Sequence, residues 1–171
     1  DNGDILQGQP ISYFYNYVNT DEENIAASVI NYMKYDAVTI GNHDIETGHS
    51  VYDKWIKEVK CPVIAANIVC FDTLKQQAIP YTSSESNNTR RCYTQPYTIL
   101  EREGIRIAIV GMLTPAIPSW LKEELWQGLR FEDIAKSAKQ AANYLKDKEK
   151  ADIIIGLFHS GWDGGIKTEE Y

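Results

Sequence analysis

The sequence predicts an α/β protein, and three observations carry that prediction. Short apolar, β-prone runs alternate with stretches of helical spacing, the pattern of parallel βαβ units. Two alternating segments flank Gly104 as an antiparallel hairpin. Three apolar runs, or the turns after them, also carry glycine beside Asp, Asn or His, as at the carboxyl ends of strands where α/β proteins build sites.

The elements follow in order. Asp4 is expected just past a strand that begins upstream of Asp1. Thr20-Asp21-Glu22-Glu23 has capping-box spacing and opens a helix with Ile25, Val29, Ile30 and Met33 on one face. Residues 37–40 read as a buried strand running into Gly41-Asn42-His43-Asp44. Thr47 or Ser50 caps the next helix, where Val51, Trp55 and Val59 share a face. Residues 62–66 read as a short buried strand ending at Asn67.

The second half starts differently. Residues 71–93 hold a polar loop, Ser83 to Arg91, with a solvated Arg90-Arg91 pair and the sequon Asn87-Asn88-Thr89. Residues 97–103 and 105–110 form the hairpin, 111–118 a turn-rich crossing, and Trp120, Leu121, Leu125 and Trp126 supply packing. Residues 131–148 read as a helix with Ile134, Ala138, Ala141, Ala142 and Leu145 inward. Residues 152–158 are the last strand. No repeat or linker interrupts the chain, so its 171 residues make one domain or most of one.

Composition bounds the function. At 43% hydrophobic and 24% charged residues the chain is globular. Its 17 basic and 24 acidic residues give a net charge of −7, which argues against a nucleic-acid polymer as partner. A small phosphate ligand stays compatible with that charge, because bound metals dominate the local field. No apolar run is long enough for a membrane span. Nine extended steps separate Cys61 from Cys70, roughly 30 Å and beyond disulfide reach, so any bridge would use Cys92. Three buried or idle thiols is the reading.

The chemistry concentrates at three strand ends. Asn42 offers a carbonyl oxygen, His43 and His159 ring nitrogens, Asp4 and Asp44 carboxylates. In order the stretches are Gly3-Asp4, Gly41-Asn42-His43-Asp44, and His159 after the apolar run 153–158. His49 is read as a helix-surface residue and Asp163 as a turn residue.

In these residues the sequence resembles the calcineurin-like metallophosphoesterases. That family carries Asp-x-His, Gly-Asp, Gly-Asn-His-Asp/Glu, a His after a buried strand, and Gly-His-x-His, in that order. Here the second, third and fourth stand in sequence, while the first and last do not occur. The resemblance implies a four-layer α-β-β-α sandwich of two mixed sheets, incomplete at both ends, with residues 1–171 as part of the catalytic domain. It implies two divalent cations (Mn, Zn, Fe or Mg) that activate the attacking hydroxide. Asp4 would bridge them, Asn42 and His159 would ligate one, and His43 would protonate the leaving group, oriented by Glu46. Asp1-Asn2-Gly3-Asp4 with Gln7-Gly8-x-Pro10, and Pro96-Tyr97-Thr98-Ile99, point to the bacterial 5′-nucleotidase/2′,3′-cyclic-nucleotide 2′-phosphodiesterase branch. The implied substrate is a nucleotide or cyclic nucleotide, and the enzyme is of the cyclic phosphodiesterase/3′-nucleotidase type. The branch is exported, to the periplasm in bacteria, and carries a C-terminal nucleotide-binding domain that lies outside this chain. A 5′-nucleotidase, a nucleotide-sugar hydrolase or an inactive scaffold relative are the alternative readings.

Overall fold

The segment ahead of Asp4 lies alongside the first strand. In the computed structural model, which describes residues 1–72, 77–78 and 93–161, the Asp1 amine donates to the Ala37 carbonyl at 3.0 Å. The Thr39 amide donates to Asp1 O at 3.1 Å. Strand β1 (Val38–Thr39) pairs in parallel with β2 (Val63–Ile64). The intervening chain supplies α3 (Asn42–Glu46) and α4 (His49–Glu58), which makes this a βαβ unit as the apolar pattern predicted.

The polypeptide ahead of β1 forms a short helix α1 (Pro10–Tyr13) that widens into a π-helical turn, Phe14–Val18, and then α2 (Ile25–Met33). The cap of α2 is Asn24, not Thr20: its side chain accepts from the Ala26 and Ala27 amides. Ala27 and Ile30 face the core while Val29 and Met33 are exposed. The small Ala27 lets α2 approach α4, so the inward stripe is rotated from the expected one. On α4, Val51, Trp55 and Val59 are buried as their spacing predicts. The cap, however, is Gly48, held at φ 81° where neither Thr47 nor Ser50 would sit without strain.

Past β2 the chain breaks at Asn67. Strand β3 (Ile68–Asp72) leaves to pair antiparallel with β4 (Gln77–Ala78) and β7 (Leu129–Phe131). Fully buried Asn67 makes the join. Its amide nitrogen donates to Leu113 O at 2.6 Å and Glu132 O at 2.9 Å, and its oxygen accepts from Leu113 N at 2.9 Å. The expected segments at 79–92, with Cys92, Arg90-Arg91 and the sequon, lie outside the described residues, as does Asp163. Cys61 is half-buried, and burial pushes its thiol pKa up.

The hairpin forms where predicted, β5 (Tyr97–Arg102) against β6 (Ile105–Leu113). Glu103 and Gly104 both take positive φ, the tight-turn conformation that keeps the strands' twist. Strand β6 continues through Gly111 to Leu113, where the sequence suggested a turn-rich crossing. It then pairs in parallel with β8 (Ile153–His159), so sheet β5-β6-β8 is mixed. Helix α5 (Ile117–Trp120) follows; Trp120 is exposed, while Trp126 packs edge-on against Phe131. Helix α6 (Ile134–Asp147) starts later than expected, because Phe131 is spent in β7 and Asp133 caps from outside. Its Ile134 and Leu145 cover Ala108, Val110 and Met112 of β6. Strand β8 stands at its sheet edge with Ile153, Ile154, Ile155 and Phe158 exposed.

The fold is thus mixed α/β, and two close approaches fix how its sheets meet. Ala66 N donates to Gly111 O at 2.7 Å, and a Cβ on Gly111 would lie 2.1 Å from Ile64 O. Trp55, Tyr52, Ile40, Ile45, Ile68 and Leu113 fill the main core beneath. Among the described residues no helix is long and apolar enough to cross a membrane. Gly111→Ala should destabilise the protein by about 1–3 kcal/mol or more, since a backbone carbonyl must shift. Gly104→Ala, with nothing within 4 Å of its added carbon, should lose only the positive-φ cost of about 1 kcal/mol. Urea midpoints of the two variants decide: equal losses would mean that β6 and β2 are not tightly apposed.

Candidate active site

Two strand ends and one turn bring Asp4, Asn42 and His159 to one place. The turn after the Asp1 segment brings Asp4, β1 leads through Gly41 into Asn42 and His43, and β8 ends at His159. Gly41 is required by closeness: an added Cβ would sit 2.1 Å from Asp4 Oδ1 and 2.7 Å from His159 Cε1. Gly3 faces the same backbone from the other side, at φ 87°, with a Cβ 2.5 Å from Gly41 N. Asp4 itself adopts φ 63°, a left-handed conformation that Asp and Asn tolerate better than most residues.

What holds Asp4 there is Asp44. This carboxylate is fully buried at position three of α3 and accepts four backbone amides. Oδ2 takes Asp4 N and Gly41 N at 2.8 Å, and Oδ1 takes Ile5 N and Leu6 N at 2.9 Å. Burial raises the Asp44 pKa, the amides pull it back, and the Asp4 charge adds to the rise. A second brace comes from Asn16, which donates to Leu6 O at 2.7 Å and accepts from Asn24 at 2.9 Å. The sequence flagged Asp44 only as a charge beside the motif and gave no sign of the asparagine pair.

The Asp4 side chain is engaged at both oxygens. Oδ1 accepts the His43 amide at 2.8 Å, and Oδ2 lies 3.1 Å from His159 Nε2. Burial works to raise the Asp4 pKa, but the His159 hydrogen bond and charge, with the His43 amide, outweigh it and leave it lowered. For His159 burial works to lower the pKa; Asp4 and the Asn2 carbonyl outweigh it, and the imidazole is raised. His159 Nδ1 faces Asn2 O at 2.6 Å and so carries the proton. Its Nε2 lies 2.9 Å from Asn42 Oδ1.

Nε2 therefore meets two oxygens, one amide and one carboxylate. A proton on Nε2 answers both, and a divalent cation would answer the same three atoms, a donor set that suits borderline metals. Among the described residues no three of His, Cys, Asp and Glu gather as a metal site. The group depends on the Asn42 amide as its third member.

The His43 ring is half-exposed and pairs with Glu46, Nδ1 lying 2.7 Å from Oε2. His49 is not the surface histidine the spacing suggested. It is partly buried, between Asp53 Oδ1 at 3.3 Å and Gln127 O at 3.0 Å, with Tyr52 and Tyr93 against its ring.

Asp44→Asn tests the brace. Asparagine offers one acceptor oxygen where four N–H groups converge and turns its own NH₂ toward the rest. Unfolding free energy should fall by about 3 kcal/mol, and amide exchange at Asp4, Ile5, Leu6 and Gly41 should accelerate. Unchanged protection of those amides would show that the loop is held by other contacts.

Known proteins extend the comparison. No family model matches the sequence. The trifunctional nucleotide phosphoesterase YfkN of Bacillus subtilis is 30% identical over 94% of this chain. The 2′,3′-cyclic-nucleotide 2′-phosphodiesterase/3′-nucleotidase of Haemophilus influenzae is 29% identical, also over 94%. The chain spans 11% and 24% of the length of these two proteins. Among solved structures, the calcineurin-like phosphoesterase YfkN superposes with a TM-score of 0.72 at 31% identity, over 94% of this chain and 47% of that one. The Haemophilus influenzae NAD nucleotidase superposes with a TM-score of 0.68 at 26% identity, over 95% and 28%. In sequence and backbone alike, the chain is a homologue of calcineurin-like nucleotide phosphoesterases across 94% of its length.

Proposed function

We propose that residues 1–171 form part of a metallophosphoesterase catalytic domain that hydrolyses nucleotide phosphate esters, of the 2′,3′-cyclic-nucleotide 2′-phosphodiesterase/3′-nucleotidase type. The observation that carries this reading is the meeting of Asp4 Oδ2 and Asn42 Oδ1 at His159 Nε2, at 3.1 and 2.9 Å, with the His43–Glu46 pair on the same short helix as Asn42. The homologues named above point the same way in substrate class.

Two divalent cations, when bound, would supply Lewis acidity toward the phosphoryl oxygens and an activated water. Asp4 is the residue to hold both, because it alone of the group brings a full negative charge at the point where the loop and α3 meet. Asn42 and His159 would hold one, and the Asn2 carbonyl keeps the His159 proton on Nδ1 so that Nε2 presents its lone pair. Hydrolysis breaks the bond from phosphorus to the departing oxygen, which leaves with a negative charge. His43 is placed in this reading to give that oxygen a proton from Nε2, while Glu46 holds Nδ1 and fixes the ring. Asp44 takes no part in the chemistry and keeps Asp4 in place. An exported enzyme, with a separate nucleotide-gripping domain farther along the polypeptide, is the setting this reading adopts.

In the full-length protein His43→Ala should lower kcat by about 10²–10⁴-fold while metal content stays unchanged. The loss should be smaller for a nitrophenyl ester, whose leaving group needs the proton less. Equal losses on nucleotide and nitrophenyl substrates would remove His43 from the general-acid role. Asp4→Asn should strip metal more severely than Asn42→Ala or His159→Ala, because a bridging carboxylate neutralises both cations. Asparagine accepts the left-handed backbone of residue 4, so the loss can be assigned to charge. Metal analysis by mass spectrometry reads it, and an Asp4→Asn protein that keeps two metals per chain overturns the bridging role.

A further inference from the structure

Residues 1 and 2 lie between two strands and bond to both. Along an extended chain successive carbonyls point to opposite sides. Asp1 directs its amine and its carbonyl to β1, at Ala37 O and Thr39 N. The Asn2 carbonyl therefore points the other way, and His159 Nδ1 meets it at 2.6 Å. The same alternation runs along β8. His159 O turns inward and accepts from Thr114 N at 2.9 Å, just past β6. Phe158 O then turns outward, to the edge of sheet β5-β6-β8, where no strand among the described residues pairs with it. The Asn2 side chain fills that place, with Nδ2 donating to Phe158 O at 2.9 Å.

One residue thus holds the end of β8 twice. The Asn2 side chain fixes the main chain one residue before His159, and the Asn2 main chain fixes the His159 side chain. The Nδ1 bond sets the direction of the ring, and the Phe158 bond sets the position of the backbone that carries it. Together they aim Nε2 at Asn42 Oδ1 and Asp4 Oδ2, 2.9 and 3.1 Å away. Side-chain packing contributes little at this edge, where Ile153, Ile154, Ile155 and Phe158 are exposed. Asp4 and Asn42 do not share the dependence: Asp44 holds the Asp4 loop, and Asn42 opens α3.

We propose that Asn2 is a positioning residue for His159, its side-chain amide pinning the carboxyl end of β8 so that Nε2 faces a cation shared with Asn42 and Asp4. This rests on the metal-ligand role proposed for His159 and deepens it. Asn2 acts through the imidazole alone. Groups that orient a ligating histidine set metal affinity almost as strongly as the ligands themselves, because a ring free to tilt must be ordered again on binding. Asn2→Ala removes the donor and leaves the carbonyl in place. Asn2→Leu removes the donor, adds no charge and keeps a branched side chain of similar size. Asn2 is exposed, so both variants should fold with urea midpoints near wild type.

The experiment titrates the metal-depleted full-length protein with Mn²⁺ in a calorimeter. Asn2→Ala and Asn2→Leu should each weaken Mn²⁺ binding about 10–100-fold. In a His159→Ala background the same substitutions should change the affinity by less than about twofold, since nothing is left to position. Equal losses in the two backgrounds make Asn2 a general support and overturn the inference, as does no loss in the single variants. Failure of the underlying ligand reading looks different: His159→Ala itself then leaves Mn²⁺ affinity unchanged, and the inference falls with it. A second arm needs no metal and no ester. In the metal-free protein, proton NMR should show the His159 Nδ1 proton exchanging about tenfold faster in either Asn2 variant than in wild type. Equal exchange in all three overturns the positioning role whatever the metal titration gives.

Discussion

One buried carboxylate organises the site. Asp44 gathers the amides of Asp4, Ile5, Leu6 and Gly41 and thereby joins two segments about forty residues apart in sequence. An isolated buried charge would be intolerable; with four N–H donors it becomes the anchor of the loop. The consequence reaches outward. Only with the loop fixed does Asp4 Oδ1 meet the His43 amide, and only then does Oδ2 face His159. The two glycines, Gly3 and Gly41, exist for the same contact, since each would collide with the opposing backbone or side chain if it carried a Cβ. A rigid seat of this kind lets catalytic groups be held without help from their own side-chain entropy.

The electrostatics of the cluster are those of a coupled carboxylate and imidazole. Asp4 is lowered and His159 raised because each answers the other across 3.1 Å. One imidazole nitrogen faces two oxygens, of which only the Asp4 carboxylate carries a charge. Fully buried Asp44 stands behind the partly exposed Asp4. The net −7 charge of the chain therefore says little about what the site attracts, since local charge and not the total sets the field at a metal or phosphate.

How much of this was legible in the sequence depends on the range of the interaction. Elements specified by their own spacing were readable: the α4 face of Val51, Trp55 and Val59, the hairpin around Gly104, and the β8 strand ahead of His159. Caps were not, because they were chosen by distant partners. Asn24 caps α2 with its own amide held by the Glu58 carboxylate of α4, which no local pattern at Thr20 could announce. The strand read at 62–66 does end at Asn67, but that the Asn67 side chain holds Leu113 and Glu132 and sends the chain into a different sheet shows only in the fold. The residues expected at the site, Asp4, Asn42, His43 and His159, were named by type and order, and the fold brings Asp4, Asn42 and His159 into contact. The brace beneath them was not, since Asn16 and Asn24 are polar residues whose inward direction shows only after the chain has folded.

The left-handed backbone at Asp4 has a consequence for how this chain would drift under selection. Glycine relieves a positive φ, and at residue 4 it would recover about 1 kcal/mol of conformational strain. Glycine would also give up the His43 amide and His159 contacts that the carboxylate makes, which together outweigh the strain relieved, so aspartate holds this position against its own backbone preference.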